Sequence, residues 1–281
     1  MQTPNSRFLT LSLMIAYLTA CSGHSDANAQ SVPDPGARIL DCTWGNTVVQ
    51  AQGILLNNMW NKASAGPGPW RQCLQSRQRE GQTDFGWFWE WPTKDGLYAY
   101  PELLVGRSPW QPTPTNDARF PRKLGDTRTL QIDYEVESRT NGKKNLAVEF
   151  WLTNTPPAEG QQDIRSIKTE LMIWSDASDD IGAPTKNPKI TVDIDGMTWA
   201  VQIKPGWGDG SGGTGNKWTL ISYHAMKNTS TIRYDARKFL ADAAARGLID
   251  PNDYIWGVEL GNEIISGSGS TWIKKFQLLV E

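Results

Sequence analysis

The chain has only two histidines, His24 and His224, and carries neither an HExxH nor a GxSxG run. Metal-protease and serine-hydrolase chemistry therefore lack their usual residues, and neither a metal nor a cofactor is expected. Cysteine is almost as scarce, with three in 281 residues. No apolar run reaches the ~20 residues of a membrane span. Excess positive charge is missing too: 28 Lys and Arg face 30 Asp and Glu, for a net charge of −2. No basic field is available to hold nucleic acid, so none is expected as a partner.

Tryptophan, by contrast, is plentiful, with fourteen residues. A large flat ring with one polar edge suits a ligand that is half apolar and half wet, such as a pyranose. The excess points towards a sugar-binding cleft, and core packing accounts for part of it.

The first residues read as an export signal. Arg7 gives the positive flank, and Phe8 to Leu18 form a short apolar stretch of the usual ~7–15 residues. Leu18-Thr19-Ala20-Cys21 resembles a bacterial lipoprotein box, in which the cysteine is acylated; the other reading is an ordinary cleaved signal. The expected organisation is a signal peptide over 1–20, a flexible tether over 21–38 and one domain over 39–281. The lipid on Cys21 would anchor an exported monomer to a membrane, with Ser22 directing it to an outer membrane where the cell has one. Cys42 and Cys73 are then an even pair in an oxidising compartment, where a disulfide is expected, with two buried thiols as the alternative.

From residue 39 on, short strand-like runs alternate with turn signals, the pattern of a sandwich or barrel. Asp195-Gly196, between Ile190–Ile194 and Met197–Ile203, predicts a tight hairpin. Residues 204–216 are glycine-rich and contain a formal GxGxxG at 208–213. No helix pattern follows it, so a hairpin loop is expected in place of a phosphate cradle. One helix is predicted over Asp235–Arg246, stopped by Gly247 and lying on an outer face.

Three strands place carboxylates opposite aliphatic faces. A period of two puts Glu170, Met172 and Trp174 on one side, with Leu171 and Ile173 on the other. Leu146, Val148, Phe150 and Leu152 oppose Glu149 and Trp151. Trp256, Val258 and Leu260 oppose Gly257, Glu259, Gly261 and Glu263. Glutamate is depleted inside strands, so three such strands mark a polar groove, although a solvated outer face would show the same alternation.

At these residues the chain resembles glycoside hydrolase family 12, the small jelly-roll endoglucanases. Glu170-Leu171-Met172-Ile173-Trp174 is similar to that family's nucleophile motif. Gly261-Asn262-Glu263, with Gly267 beyond it, is similar to its acid/base motif. Asn57-Asn58-Met59-Trp60, Trp89-Glu90-Trp91, Tyr100-Pro101, Thr198-Trp199 and the Phe239–Gly247 helix follow in collinear order. The chain departs from the pattern at three places. Val148-Glu149 stands for Tyr-Asp, Asn262 for a common Thr, and Ile264-Ile265 for a Pro-aromatic pair. The last two changes are expected to alter subsite shape.

The resemblance implies an all-β, two-sheet sandwich of the concanavalin-like jelly-roll kind with one helix on its convex face. It also implies retaining endo-hydrolysis of β-1,4-glucan backbones such as cellulose, mixed-linkage β-glucan or xyloglucan. Glu170 would be the nucleophile and Glu263 the acid/base, with carboxyls ~5–6 Å apart, and Glu149 would orient Glu170. Asn58, Trp60, Trp89, Trp91, Met172, Trp174 and Glu259 would contact sugar. The charge on Glu170, worth about 3 kcal/mol at ~5 Å and an effective dielectric of ~20, is expected to be what keeps Glu263 protonated. The rival class is a non-catalytic carbohydrate-binding jelly roll. It explains the tryptophans but not two glutamates in hydrolase motifs.

Overall fold

A computed structural model describes residues 33–156, 158, 160–178, 181, 184–208 and 214–281. The expected signal peptide, Cys21 and most of the expected tether lie outside the described residues, as do residues 209–213 of the GxGxxG stretch.

The described residues form two facing sheets of six and twelve strands with one α-helix. The smaller sheet runs in the order Arg38–Asp41, Arg71–Arg79, Gln82–Glu90, Ser268–Val280, Leu130–Thr140, Thr231–Asp235. The main path of the larger is Thr191–Ile194, Met197–Trp207, Trp218–Ala225, Ile167–Ala177, Lys143–Thr153, Gly257–Gly261, Glu102–Gly106, Gly53–Leu56, Thr47–Gln50. Nearly all neighbours are antiparallel; Ile167–Ala177 and Trp218–Ala225 run parallel. Of the sandwich or barrel that the alternation allows, this is the sandwich, with the jelly-roll form the resemblance implies. Leu146, Val148, Phe150, Leu152, Leu171, Ile173, Ile221, Tyr223, Val258 and Leu260 face inward, where they meet Trp87, Trp89, Leu130, Ile132 and Tyr134. The opposite face of the larger sheet is left for the cleft.

Local chemistry sets the connections. Asp195 and Gly196 both have positive φ, +52° and +77°, and join Ile194 to Met197 as a two-residue hairpin turn. The helix spans Ala236–Ala245; the Asp235 carboxylate accepts from Arg237 N at 3.0 Å as its N-cap. It lies on the convex face of the larger sheet, as expected, with Lys238, Ala241 and Ala245 exposed. Phe239 packs edge-on against Trp199 and Tyr223, on the face of the larger sheet that points away from the cleft.

The N-terminal boundary differs from expectation. Asp34, placed in the flexible tether, is buried and accepts hydrogen bonds from Trp272 Nε1 at 2.6 Å and Arg139 Nη2 at 2.5 Å. Ordered packing thus begins several residues before 39. Cys42 and Cys73 form a disulfide. It joins the end of the first strand to the fourth strand in chain order, its direct sheet neighbour. Among the described residues no helix is long and apolar enough to cross a membrane.

Candidate active site

The outer face of the larger sheet carries a cleft of about 790 Å³. Four carboxylates line it, Glu149, Glu170, Glu259 and Glu263, together with Asn58, Trp60, Met172, Trp174 and a further set of tryptophans. Strand register explains the grouping. Glu149 pairs directly with Met172 on one side and with Glu259 on the other. Glu170 is registered with Trp151, two residues from Glu149 in one direction. The Glu263 carbonyl accepts from Asn145 N, four residues from Glu149 in the other direction. The two glutamates of the hydrolase-like motifs therefore rise from opposite ends of the strands, with Glu149 and Glu259 on the floor between them.

Each flank has its own polar setting. Trp218 Nε1 donates to Glu170 Oε2 at 2.6 Å. Trp218, Trp110 and Trp151 stand edge to face, with centroids 5.1–5.9 Å apart, in an aromatic wall beside that carboxyl. Trp151 Nε1 donates to Glu259 Oε2 at 3.2 Å. On the other flank the Asn145 side chain contacts Glu263 twice. Its Nδ2 donates to the carboxyl, and its Oδ1 accepts from the Glu263 backbone N at 2.7 Å. Asn262 explains why the segment is held so firmly. Fully buried, it accepts from Trp87 Nε1 at 2.9 Å and Thr271 Oγ1 at 2.7 Å and donates to Asn145 O. Its side chain thus anchors the turn from below and shapes no subsite, contrary to the sequence expectation; of the Ile264-Ile265 pair only Ile265 lines the cleft. Gly261 is required for close approach: a Cβ there would meet Pro101 O at 2.7 Å and the Tyr100 ring at 2.8 Å.

The electrostatics follow from burial. Desolvation pushes Glu263 up to about 7, against the opposing pull of the Asn145 hydrogen bond and the Lys204 charge. The cause is chiefly burial and not, as the sequence suggested, the charge of Glu170. Glu149 is held well above the carboxylate range, first by burial and then by the charges of Glu170, Glu259, Glu102 and Glu263. Glu259 is lifted by burial to about 7. His224, whose ring lies 4.2 Å from that of Trp174, falls to about 4 through burial and the Lys204 charge, so it is neutral at ordinary pH. Among the described residues no group of three or more His, Cys, Asp or Glu could hold a metal ion.

Two expected sugar contacts are corrected. Trp89 is fully buried in the main core, and Trp91 is buried there with its ring stacked on Tyr98 and its Nε1 donating to Gln72 at 3.2 Å. Neither lines the cleft. The sequence reading missed Trp44, Trp110, Trp207 and Tyr100, which do, and Trp218. It placed Trp151 on the cleft-facing side without assigning it a role. Trp151 and Trp218 sit at strand positions of the same face parity as Glu149 and Leu220, and that parity was the available signal.

The "Glycosyl hydrolase family 12" profile matches residues 53–281. The chain is 22% identical over 235 residues to the "Probable xyloglucan-specific endo-beta-1,4-glucanase A" of Aspergillus clavatus, covering 81% of this chain and 85% of that protein. It is 23% identical to the protein of the same name from Aspergillus fumigatus, with 82% and 85% covered. In fold it is similar to the family 12 xyloglucanase from Bacillus licheniformis, with a TM-score of 0.72 at 24% identity over 86% of this chain and 99% of that one. It is also similar to the endoglucanase cel12A from Rhodothermus marinus, with a TM-score of 0.65 at 22% identity over 85% and 97%. Sheet order, cleft and profile agree: the chain belongs to glycosyl hydrolase family 12.

Proposed function

We propose that this protein is an endo-acting hydrolase of β-1,4-glucan backbones that retains anomeric configuration, with Glu170 as nucleophile and Glu263 as acid/base. The observation that carries the reading is the difference between the two flanks of the cleft. Glu170 receives a strong N–H donor from Trp218, which favours an anion. Glu263 is half-buried, and desolvation raises it to about 7, which favours a proton at the pH where it must give one away. In the first step a Glu170 oxygen bonds to the anomeric carbon as the glycosidic C–O bond breaks, and the departing oxygen takes the Glu263 proton. In the second, water attacks that carbon, Glu263 takes the water proton, and the ester to Glu170 breaks.

The substrate is a β-glucan polysaccharide. A pocket of about 290 Å³ shares Trp174 and His224 with the cleft and gives room for a substituent on the backbone. Together with the names of the Aspergillus relatives, this favours xyloglucan over unbranched glucans. Turnover compared on xyloglucan, mixed-linkage β-glucan and carboxymethyl cellulose tests the preference. Proton NMR of fresh digests tests the mechanism: the β-anomer should appear first, and a first α-anomer would assign inversion. No new reducing ends on any glucan would leave a carbohydrate-binding protein. Export and lipid anchoring through Cys21 remain part of the proposal on the strength of Arg7, the Phe8 to Leu18 run and the Leu18–Cys21 box. Labelled fatty acid should enter the wild-type chain and not Cys21→Ser.

A further inference from the structure

Beside the cleft floor lies a carboxyl that the proposed chemistry does not use. Glu102 is 1% exposed, and Gly261 is its direct partner on the adjacent strand Gly257–Gly261. That register sets Glu102 diagonally next to Glu259, on the same face of the sheet. The two carboxyls are close enough for each to act on the other's proton affinity. One oxygen of each is already taken: Glu102 Oε1 accepts from Asn58 Nδ2 at 3.3 Å, and Glu259 Oε2 accepts from Trp151 Nε1 at 3.2 Å. The remaining two, Glu102 Oε2 and Glu259 Oε1, are both buried, and neither has an N–H or O–H donor when both groups are read as anions. A single proton placed between them satisfies both at once, because a protonated carboxyl is a donor and an ionised one an acceptor. Two abutting buried anions would otherwise be left without compensation.

We propose that Glu102 is a positioning residue that shares one proton with Glu259 and thereby sets how the cleft floor presents itself to a sugar. Glu102 carries the proton on Oε2 and donates it to Glu259 Oε1, so Glu259 faces the cleft as an acceptor. The carbonyl-like Oε1 of Glu102 holds the Asn58 amide nitrogen, which leaves the Asn58 Oδ1 for a sugar hydroxyl. Both polar groups offered on this side of the floor are therefore acceptors, matched to a ligand rich in O–H donors. Burial and the neighbouring Glu259 charge both favour the neutral form of Glu102. The other titratable groups that face the pair are Glu149, across the strand from Glu259, and Tyr100, whose hydroxyl donates to Glu259 O and Ala147 O. Trp151 donates to Glu259 Oε2, and Ser108 lies beside the same carboxyl.

The assignment rests on the reading of the cleft as a glucan site for its function but not for its chemistry, and two measurements separate these. In ligand-free enzyme, carbon-detected NMR of the Glu side chains should show the Glu102 carboxyl protonated at pH 7, with Glu102 and Glu259 titrating together as the pH rises. A Glu102 already ionised at pH 7 overturns the shared proton. The second measurement is calorimetric affinity for a cello-oligosaccharide across pH. Glu102→Leu should weaken binding about tenfold or more, the loss of a hydrogen bond to a charged group. Glu102→Gln keeps a donor and should restore most of it, without the wild-type weakening at the pH where the pair loses its proton. Wild-type affinity in Glu102→Leu, or an equal loss in both variants, overturns the positioning role. A shared proton in a protein that binds no oligosaccharide would sink the glucan reading and leave the pair standing.

Discussion

Trp218 Nε1 points its hydrogen at Glu170 Oε2 across 2.6 Å, from a strand that runs parallel to the strand carrying Glu170. A parallel neighbour is unusual in this sheet. It lets an indole from Trp218–Ala225 reach the carboxyl from the side that Glu149 does not occupy. Trp218→Phe keeps the ring and deletes the donor. Hydrogen bonds to charged groups are worth about 1.5–3 kcal/mol, so kcat/KM should fall about tenfold or more while the melting temperature changes little. An unchanged kcat/KM would make the contact incidental.

The pH profile should report Glu263. Its raised value of about 7 means that the proton needed by the leaving group is present below pH 7 and lost above it, giving an alkaline limb in kcat/KM. Asn145 stabilises the charged form, so Asn145→Ala should move that limb to higher pH. Movement to lower pH would contradict the assigned role of Asn145.

Stability should run against activity at the same residue. For an acid whose folded pKa is raised, the folded state is favoured at low pH, and that advantage disappears as pH rises through the folded value. For Glu263, raised from 4.5 to about 7, the penalty above pH 7 is at most about 3 kcal/mol. Glu263→Gln should therefore melt close to wild type at pH 5 and higher than wild type at pH 8, while hydrolysis is lost. Thermal unfolding by circular dichroism at the two pH values decides; equal shifts at both would assign the effect to packing.

Tryptophan substitutions should split by location. Trp60 is partly exposed in the cleft, so Trp60→Ala should raise KM with little loss of stability. Trp89 is wholly buried, so Trp89→Ala should cost about 3–5 kcal/mol in stability. Denaturant titrations beside steady-state kinetics test both; a stability loss for Trp60→Ala equal to that of Trp89→Ala would return Trp60 to the core.

The disulfide gives a further test. In a Cys21→Ser chain, no thiol should react in denaturant until reductant is added. Cys73→Ala should lower stability by about 2–5 kcal/mol.

The period-two pattern correctly sorted Leu171 from Glu170 and Val148 from Glu149, because a strand that buries one face must alternate. The resemblance to a Trp-x-Trp strand misplaced Trp89 and Trp91, since a motif match does not say which of two sheets the strand joins. Gln82–Glu90 belongs to the smaller sheet, and the face carrying Trp87 and Trp89 is turned inward. Trp218 escaped notice because its partner is 48 residues away, brought close only by the parallel pairing. The pairing of Glu102 with Glu259 was equally invisible: 157 residues separate them, and the register between their strands comes from the whole sheet. Asp195-Gly196 and the helix stop at Gly247 were legible because turns and helix ends are decided within a few residues.

Asp34 has a mechanical consequence. The buried carboxylate is gripped by Arg139, Ser270 and Trp272, on two strands in the middle of the smaller sheet. Tension applied through the preceding chain is met there first. It loads Leu130–Thr140 and Ser268–Val280 in shear, before it can unzip the edge strand Arg38–Asp41, whose far end is riveted by Cys42 to Cys73. The edge of the sheet is shielded from peeling, and the cleft on the other sheet stays out of the line of force.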